Sequence, residues 1–86
     1  MGIKIDIPTV LQQITDGREN FTVEGRTLRE CMDDLVIQCP AFQGWFDENN
    51  PIAWIVLNEE MVSLVDQDKQ VVPSDRLGII LLLGGG

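Results

Sequence analysis

The chain has 86 residues and a formal net charge of -8, from 14 acidic and 6 basic side chains, with 44% hydrophobic and 6% aromatic residues. That length fits one small domain burying roughly 60% of its unfolded surface, which excludes an extended cleft with its own floor and lid. Histidine is absent, which excludes imidazole bases, His-based triads and His-containing zinc sites.

The acidic balance argues against a nucleic-acid partner, because phosphate binding runs on Lys and Arg. It favours a basic protein surface instead. There is no apolar run long enough to span a membrane. Met1-Gly2-Ile3-Lys4 lacks the basic-then-apolar build of a signal peptide, and Asp6 stands where a myristoylation signal has Ser or Thr. A soluble, cytoplasmic chain without membrane contact is expected.

Ile3-Lys4-Ile5-Asp6-Ile7 alternates apolar and polar residues, which predicts a half-buried strand closed by Pro8. Residues 10–14 allow one short helical turn, and Asp16-Gly17 marks a chain reversal. Phe21-Thr22-Val23-Glu24 predicts a second strand ended by Gly25, joined to the first by a long hairpin connection through residues 8–20. Thr27 and Glu30 then form a capping box, each side chain satisfying a free backbone N–H of the first helical turn. Leu28, Cys31, Met32, Leu35, Val36 and Cys39 follow at i, i+3, i+4, i+7, i+8 and i+11. They make one face of an α-helix that Pro40 ends, with Ile37 the one apolar residue off that face.

On one such helix the α-carbons of Cys31 and Cys39 lie about 12 Å apart at about 1.5 Å per residue. A disulfide needs about 7 Å or less, so the two do not bridge. Two cysteines without histidine make neither a zinc nor an iron–sulfur site. Both are read as small buried apolar residues, and no metal is expected.

Between residues 41 and 50, Phe42, Trp45 and Phe46 stand among polar turn residues and are expected to cover one end of the core. Residues 52–57 are an unbroken apolar run, which predicts a strand buried on both faces. Asn58-Glu59-Glu60 predicts a turn and residues 61–65 a returning strand. Asp66-Gln67-Asp68 is a further turn, without the glycine and bidentate glutamate of a calcium loop. Val71-Val72-Pro73 reads as a short edge segment, and residues 77–83 as a last, central strand.

The expected class is α+β, a ubiquitin-like β-grasp with a mixed four- to five-stranded sheet packed on one main helix. The first and last strands would pair in parallel at its centre. The domain takes residues 1–83, and Gly84-Gly85-Gly86 form a flexible tail, since glycines after a strand keep their backbone freedom.

Tail, element order and length together resemble the MoaD/ThiS family of sulfur carriers, over nearly the whole chain. Ile3-Lys4-Ile5 is similar to the family's opening strand and Thr27-Leu28-Arg29-Glu30 to its helix start. Leu57-Asn58 with Met61-Val62 is similar to its Val-Asn turn and following strand. Val71-Val72-Pro73, Asp75-Arg76 and Ile79, running into the glycines, resemble thiamine-type members. The length and residues 41–50 resemble molybdopterin-type members more. That type carries aromatic and proline residues where this chain has Ile79-Ile80-Leu81-Leu82-Leu83, so both pathways stay open.

The resemblance implies a carrier with no bound cofactor rather than an enzyme. A ubiquitin-activating-enzyme-like adenylyltransferase would use ATP to adenylate the Gly86 carboxylate. A sulfur donor would displace AMP and leave a thiocarboxylate. The sulfur would pass to an intermediate held by a downstream synthase of molybdopterin, thiazole or similar type. Gly84 and Gly85, without side chains, would thread the partner's channel. The apolar run at the sheet end is longer than a central strand requires, which points to docking through Ile80, Leu82 and Leu83, rimmed by Glu59 and Glu60. Strand alternation turns Ile79 and Leu81 to the opposite face from Ile80 and Leu82. Two other readings stand beside the carrier: a ubiquitin-like modifier joined through Gly86 to a lysine, and an interaction domain with an inert tail.

Overall fold

The computed structural model describes residues 2–81; the last two residues of the expected final strand and the glycines at 84–86 lie outside the described residues. Within them are strands β1 (Ile3–Asp6), β2 (Asn20–Val23), β3 (Ala53–Leu57), β4 (Glu60–Val62) and β5 (Arg76–Leu81), and helix α1 (Leu28–Gln38). Short 3-10 turns occupy Thr9–Leu11, Pro40–Phe42 and Leu64–Asp66. The sheet order is β2-β1-β5-β3-β4. β1 and β5 pair in parallel with Ile5 opposite Leu77, while the other neighbours are antiparallel. A single helix on a mixed five-stranded sheet of this order is the ubiquitin-like β-grasp.

The period of two does the sorting. It turns Ile3 and Ile5 of β1, Ala53, Ile55 and Leu57 of β3, and Leu77 and Ile79 of β5 toward one side, where all are buried. Across from them α1 lays Leu28, Cys31, Met32 and Leu35, also buried. Each large apolar side chain buried this way contributes roughly 1.5–3 kcal/mol.

Helix α1 starts where the capping pair places it. Thr27 Oγ1 accepts from the Glu30 N–H at 3.2 Å. Glu30 Oε1 accepts from the Arg26 N–H at 2.9 Å, one residue further back than a standard capping box reaches. Gly25 permits that closeness, since a Cβ there would stand 2.7 Å from Glu30 Cβ and 2.8 Å from the Cys31 nitrogen. Pro40 ends the helix, and Cys39 before it is already extended (φ -140°, ψ 89°). Cys39 is therefore the half-buried cap rather than a buried helical residue, and both cysteines are free.

Three segments depart from the sequence pattern. Residues 52–57 are not covered on both faces: Ile52 is exposed, and Trp54 and Val56 are half-buried. With one helix available, only one face of β3 is covered, so the apolar run reflects something other than double burial. The returning strand is shorter than expected, because β4 ends at Val62. Ser63 Oγ then accepts from the Val65 N–H at 3.4 Å, capping a 3-10 turn that carries Leu64 into the core. Val71-Val72-Pro73 forms no strand. Instead Gln70 bridges Thr27, and the Val71 N–H donates to the Arg26 carbonyl at 2.9 Å, seating Val71 beside the helix start.

Candidate functional site

The alternation that buries Ile79 turns Ile80 outward, onto the sheet face away from α1. Register then decides its neighbours: Ile80 lies opposite Trp54, Gly78 opposite Val56, and Val56 opposite Met61. Residues paired across a sheet share a face, so β5, β3 and β4 present Ile80, Trp54, Val56 and Met61 together. Ile80 is 41% and Met61 53% exposed. The Trp54 indole N–H lies buried within this face with no hydrogen-bond partner among the described residues. Toward β1 the same face turns polar. Lys4, Asp6 and Arg76 take over, with an exposed Arg76–Asp6 ion pair at 3.3 Å that stabilises little.

The β3–β4 hairpin supplies the rim. Its two central residues, Asn58 and Glu59, have φ of 51° and 73°, the left-handed pair that a two-residue type I′ turn requires. Asn58 is held on both sides of its amide: Nδ2 donates to Asp75 Oδ1 and Oδ1 accepts from the Arg76 N–H, both at 2.9 Å. Asp75 Oδ2 also accepts from the Val72 N–H at 2.9 Å. The Asn58 bond first, then the Val72 bond, holds the Asp75 carboxyl below the usual carboxylate range. Glu59 occupies a position where glycine is usual, so its backbone is strained in a place the Asn58 clamp fixes. It lines an outer-face hollow with Asp6, Val56, Arg76 and Gly78.

Of the expected docking residues, Ile80 lies on the outer face and Glu59 lines a hollow on it beside Val56 and Gly78. Glu60 does not join them. It belongs to β4 rather than to the turn and pairs with Leu57, so it stands at the sheet edge on the helix side. Leu82, Leu83, Gly84, Gly85 and Gly86 lie outside the described residues. Trp54, Val56 and Met61 belong to the patch and were not singled out from sequence. Their signal is the alternation of residues 53–57, which an unbroken apolar run hides.

Chemistry elsewhere is sparse. The Cys31 thiol is pushed up from 9.0 to about 11, by burial first and then by the nearby Glu30, Asp34 and Glu24 carboxylates. It is protonated at neutral pH and is no nucleophile. Among the described residues no group of three His, Cys, Asp or Glu is placed to hold a metal ion. Nor is any helix among them long and apolar enough to cross a membrane.

No protein-family model matches the chain, and no curated protein matches it. Solved structures do. A chain of the Amycolatopsis orientalis BexX/CysO complex is similar with 23% identity and TM-score 0.79, over 98% of this chain and 99% of that one. The small archaeal modifier protein 1 of Methanosarcina acetivorans is similar with 21% identity and TM-score 0.73, over 98% and 95%. The complex of molybdopterin-converting factor subunits 1 and 2 from Helicobacter pylori contains a chain similar with 15% identity and TM-score 0.67, over the whole of both. Identities this low speak for the fold, and the fold that these structures share with the present chain from end to end is the ubiquitin-like β-grasp.

Proposed function

We propose that this protein is a sulfur carrier rather than a catalyst. In this reading a carboxylate oxygen of Gly86 attacks the α-phosphorus of ATP on a ubiquitin-activating-enzyme-like adenylyltransferase, and pyrophosphate leaves. Sulfide from a sulfur donor then attacks the acyl-adenylate carbon, a C–S bond forms, AMP departs with the C–O bond broken, and loss of the sulfur's proton leaves a thiocarboxylate. A synthase of molybdopterin, thiazole or similar type takes the sulfur in the cytoplasm.

The observation that carries this reading is the position of β5. It is the middle strand of the sheet, laddered to β1 on one side and β3 on the other, and its sequence continues directly into Leu82-Leu83-Gly84-Gly85-Gly86. Gly86 is five residues beyond Leu81. A fully extended segment of that length reaches at most about 17 Å, enough to enter another protein while the domain stays outside. Ile80 with Trp54, Val56 and Met61 forms the docking surface, with Glu59 on its rim and Glu60 outside it; Leu82 and Leu83, also expected in it, lie outside the described residues. The likeness to chains found in complexes, with BexX in one case and with subunit 2 of a converting factor in another, supports a protein partner.

Intact mass after incubation with ATP, the adenylyltransferase and sulfide tests the reading. A gain equal to replacing one oxygen by sulfur is expected, and deletion of Gly86 abolishes it. No gain with any such enzyme overturns the carrier. A second reading, a protein modifier joined through Gly86 to lysines, is favoured by the likeness to the small archaeal modifier protein 1. It predicts ATP-dependent ladders on blots of lysate, where the carrier predicts none.

A further inference from the structure

Gly78 stands inside the central strand, and nothing within the domain requires a glycine there. In a strand interior glycine is less stable than alanine, because it loses more backbone freedom and packs no side chain. It is expected where φ is positive, where a bulge falls, where a neighbour leaves no room, or where something approaches closely from outside. The first three do not apply. The φ of Gly78 lies outside the left-handed region. β5 pairs residue for residue with β3 from Leu77 to Leu81 and with β1 from Arg76 to Gly78, so no bulge falls at this position. A Cβ on Gly78 would meet only Val56 Cβ, at 3.7 Å, which is ordinary van der Waals contact. Alanine would fit, and close approach from outside is the remaining reason.

Register places Gly78 between Asp6 of β1 and Val56 of β3, all on the face away from α1. It parts the polar half of that face from the apolar half. The missing side chain leaves a hollow of about 450 Å³, which Asn58, Glu59 and Arg76 also line. Its floor is main chain already spent on the ladders to β1 and β3, so it offers an occupant a flat surface without hydrogen bonds. Val56 makes one wall apolar. The opposite wall is the Asp6–Arg76 pair, a single contact at 3.3 Å between exposed side chains. Among the described residues the second Asp6 oxygen and the remaining Arg76 guanidinium hydrogens have no other partner. The Asn58 amide adds nothing, because Asp75 and the Arg76 N–H hold it.

An occupant that matches these walls has flat apolar faces and one end that both donates and accepts. We propose that the hollow receives a tyrosine side chain of the partner protein, its ring over Gly78 against Val56 and its hydroxyl between the Asp6 carboxylate and the Arg76 guanidinium. A phenol donates and accepts at once, and tyrosine joins an apolar body to a polar tip. A basic side chain would meet Arg76 with like charge, and an acidic one would meet Asp6 and Glu59. Val56 belongs to both the hollow and the Ile80 patch, so the subsite rests on the docking part of the proposed function and not on its sulfur chemistry.

The test is a titration of isotope-labelled protein with acetyl-Gly-Tyr-Gly-amide, followed by NMR. Saturable shifts centred on the Gly78 and Val56 amides are expected in the millimolar range. The phenylalanine counterpart, which lacks the hydroxyl, should bind at least about threefold more weakly. Gly78→Ala should keep or raise the melting temperature yet weaken the tyrosine peptide at least about fivefold, because its methyl group takes the place of the ring. Gly78→Val fills more of the hollow and should abolish binding. A lower melting temperature in Gly78→Ala would show that folding needs the glycine and would overturn the proposal. So would unchanged affinity in that variant, equal binding of the phenylalanine peptide, or shifts that do not saturate. The titration needs no activating enzyme, so a protein that binds the peptide but never gains sulfur loses the carrier reading alone.

Discussion

Along β3 and β5 successive residues alternate between two environments. Ala53, Ile55, Leu77 and Ile79 lie under α1 and are at most 5% exposed, while Trp54, Val56, Gly78 and Ile80 on the outer face are half-buried or exposed. The inner set is apolar because the core requires it. The outer set has no such requirement, as its own far side shows: next to β1 the same face carries Lys4, Asp6 and Arg76, which need only water. Apolar side chains at Ile80 and Met61 are thus more than folding demands, which is what the proposed docking surface would require.

The largest effect should come from the inner face. Ile55→Ala leaves a cavity in a fully buried position and is expected to cost about 2–5 kcal/mol in urea unfolding. Val56→Ala, one residue along, should cost less than about 1 kcal/mol. Equal losses would erase the distinction between the faces.

Ile80→Glu sharpens the comparison from the other side. Stability should change by less than about 1 kcal/mol, while adenylation by the partner falls at least tenfold, a loss of about 1.4 kcal/mol in transition-state or docking energy. Unchanged adenylation would remove Ile80 from any docking surface. The smallest effect belongs to the hairpin. Glu59→Gly relieves a left-handed backbone and should raise stability by up to about 1 kcal/mol in thermal unfolding. If Glu59 serves as a docking rim, the same change lowers adenylation even as the melting temperature rises.

The parts that were legible from sequence are those whose cause is local. The period of two in residues 3–7, the capping pair Thr27 and Glu30, and Pro40 mark β1 and α1 to within about a residue of their observed bounds. Residues 52–57 were misread because an apolar run has no period, so it does not say which side will be covered. The end of β4 was missed because Ser63 stops it with a single side-chain cap, between residues that otherwise suit a strand. Gln67 reads as a turn residue, and its burial depends on a carbonyl 21 positions earlier.

Local hydrogen bonding and side-chain spacing were thus enough for the helix, the first strands and the class of fold, because each depends on residues within a few positions of one another. The candidate site and the packing of the turns needed more. Ile80 meets Trp54 through the β3–β5 register, and Gln67 meets Phe46 through a side-chain bond between two separate turns. Both juxtapositions join residues more than twenty positions apart, and the burial of the inner face sets the first, since a slip of one residue would turn every inner side chain out into water.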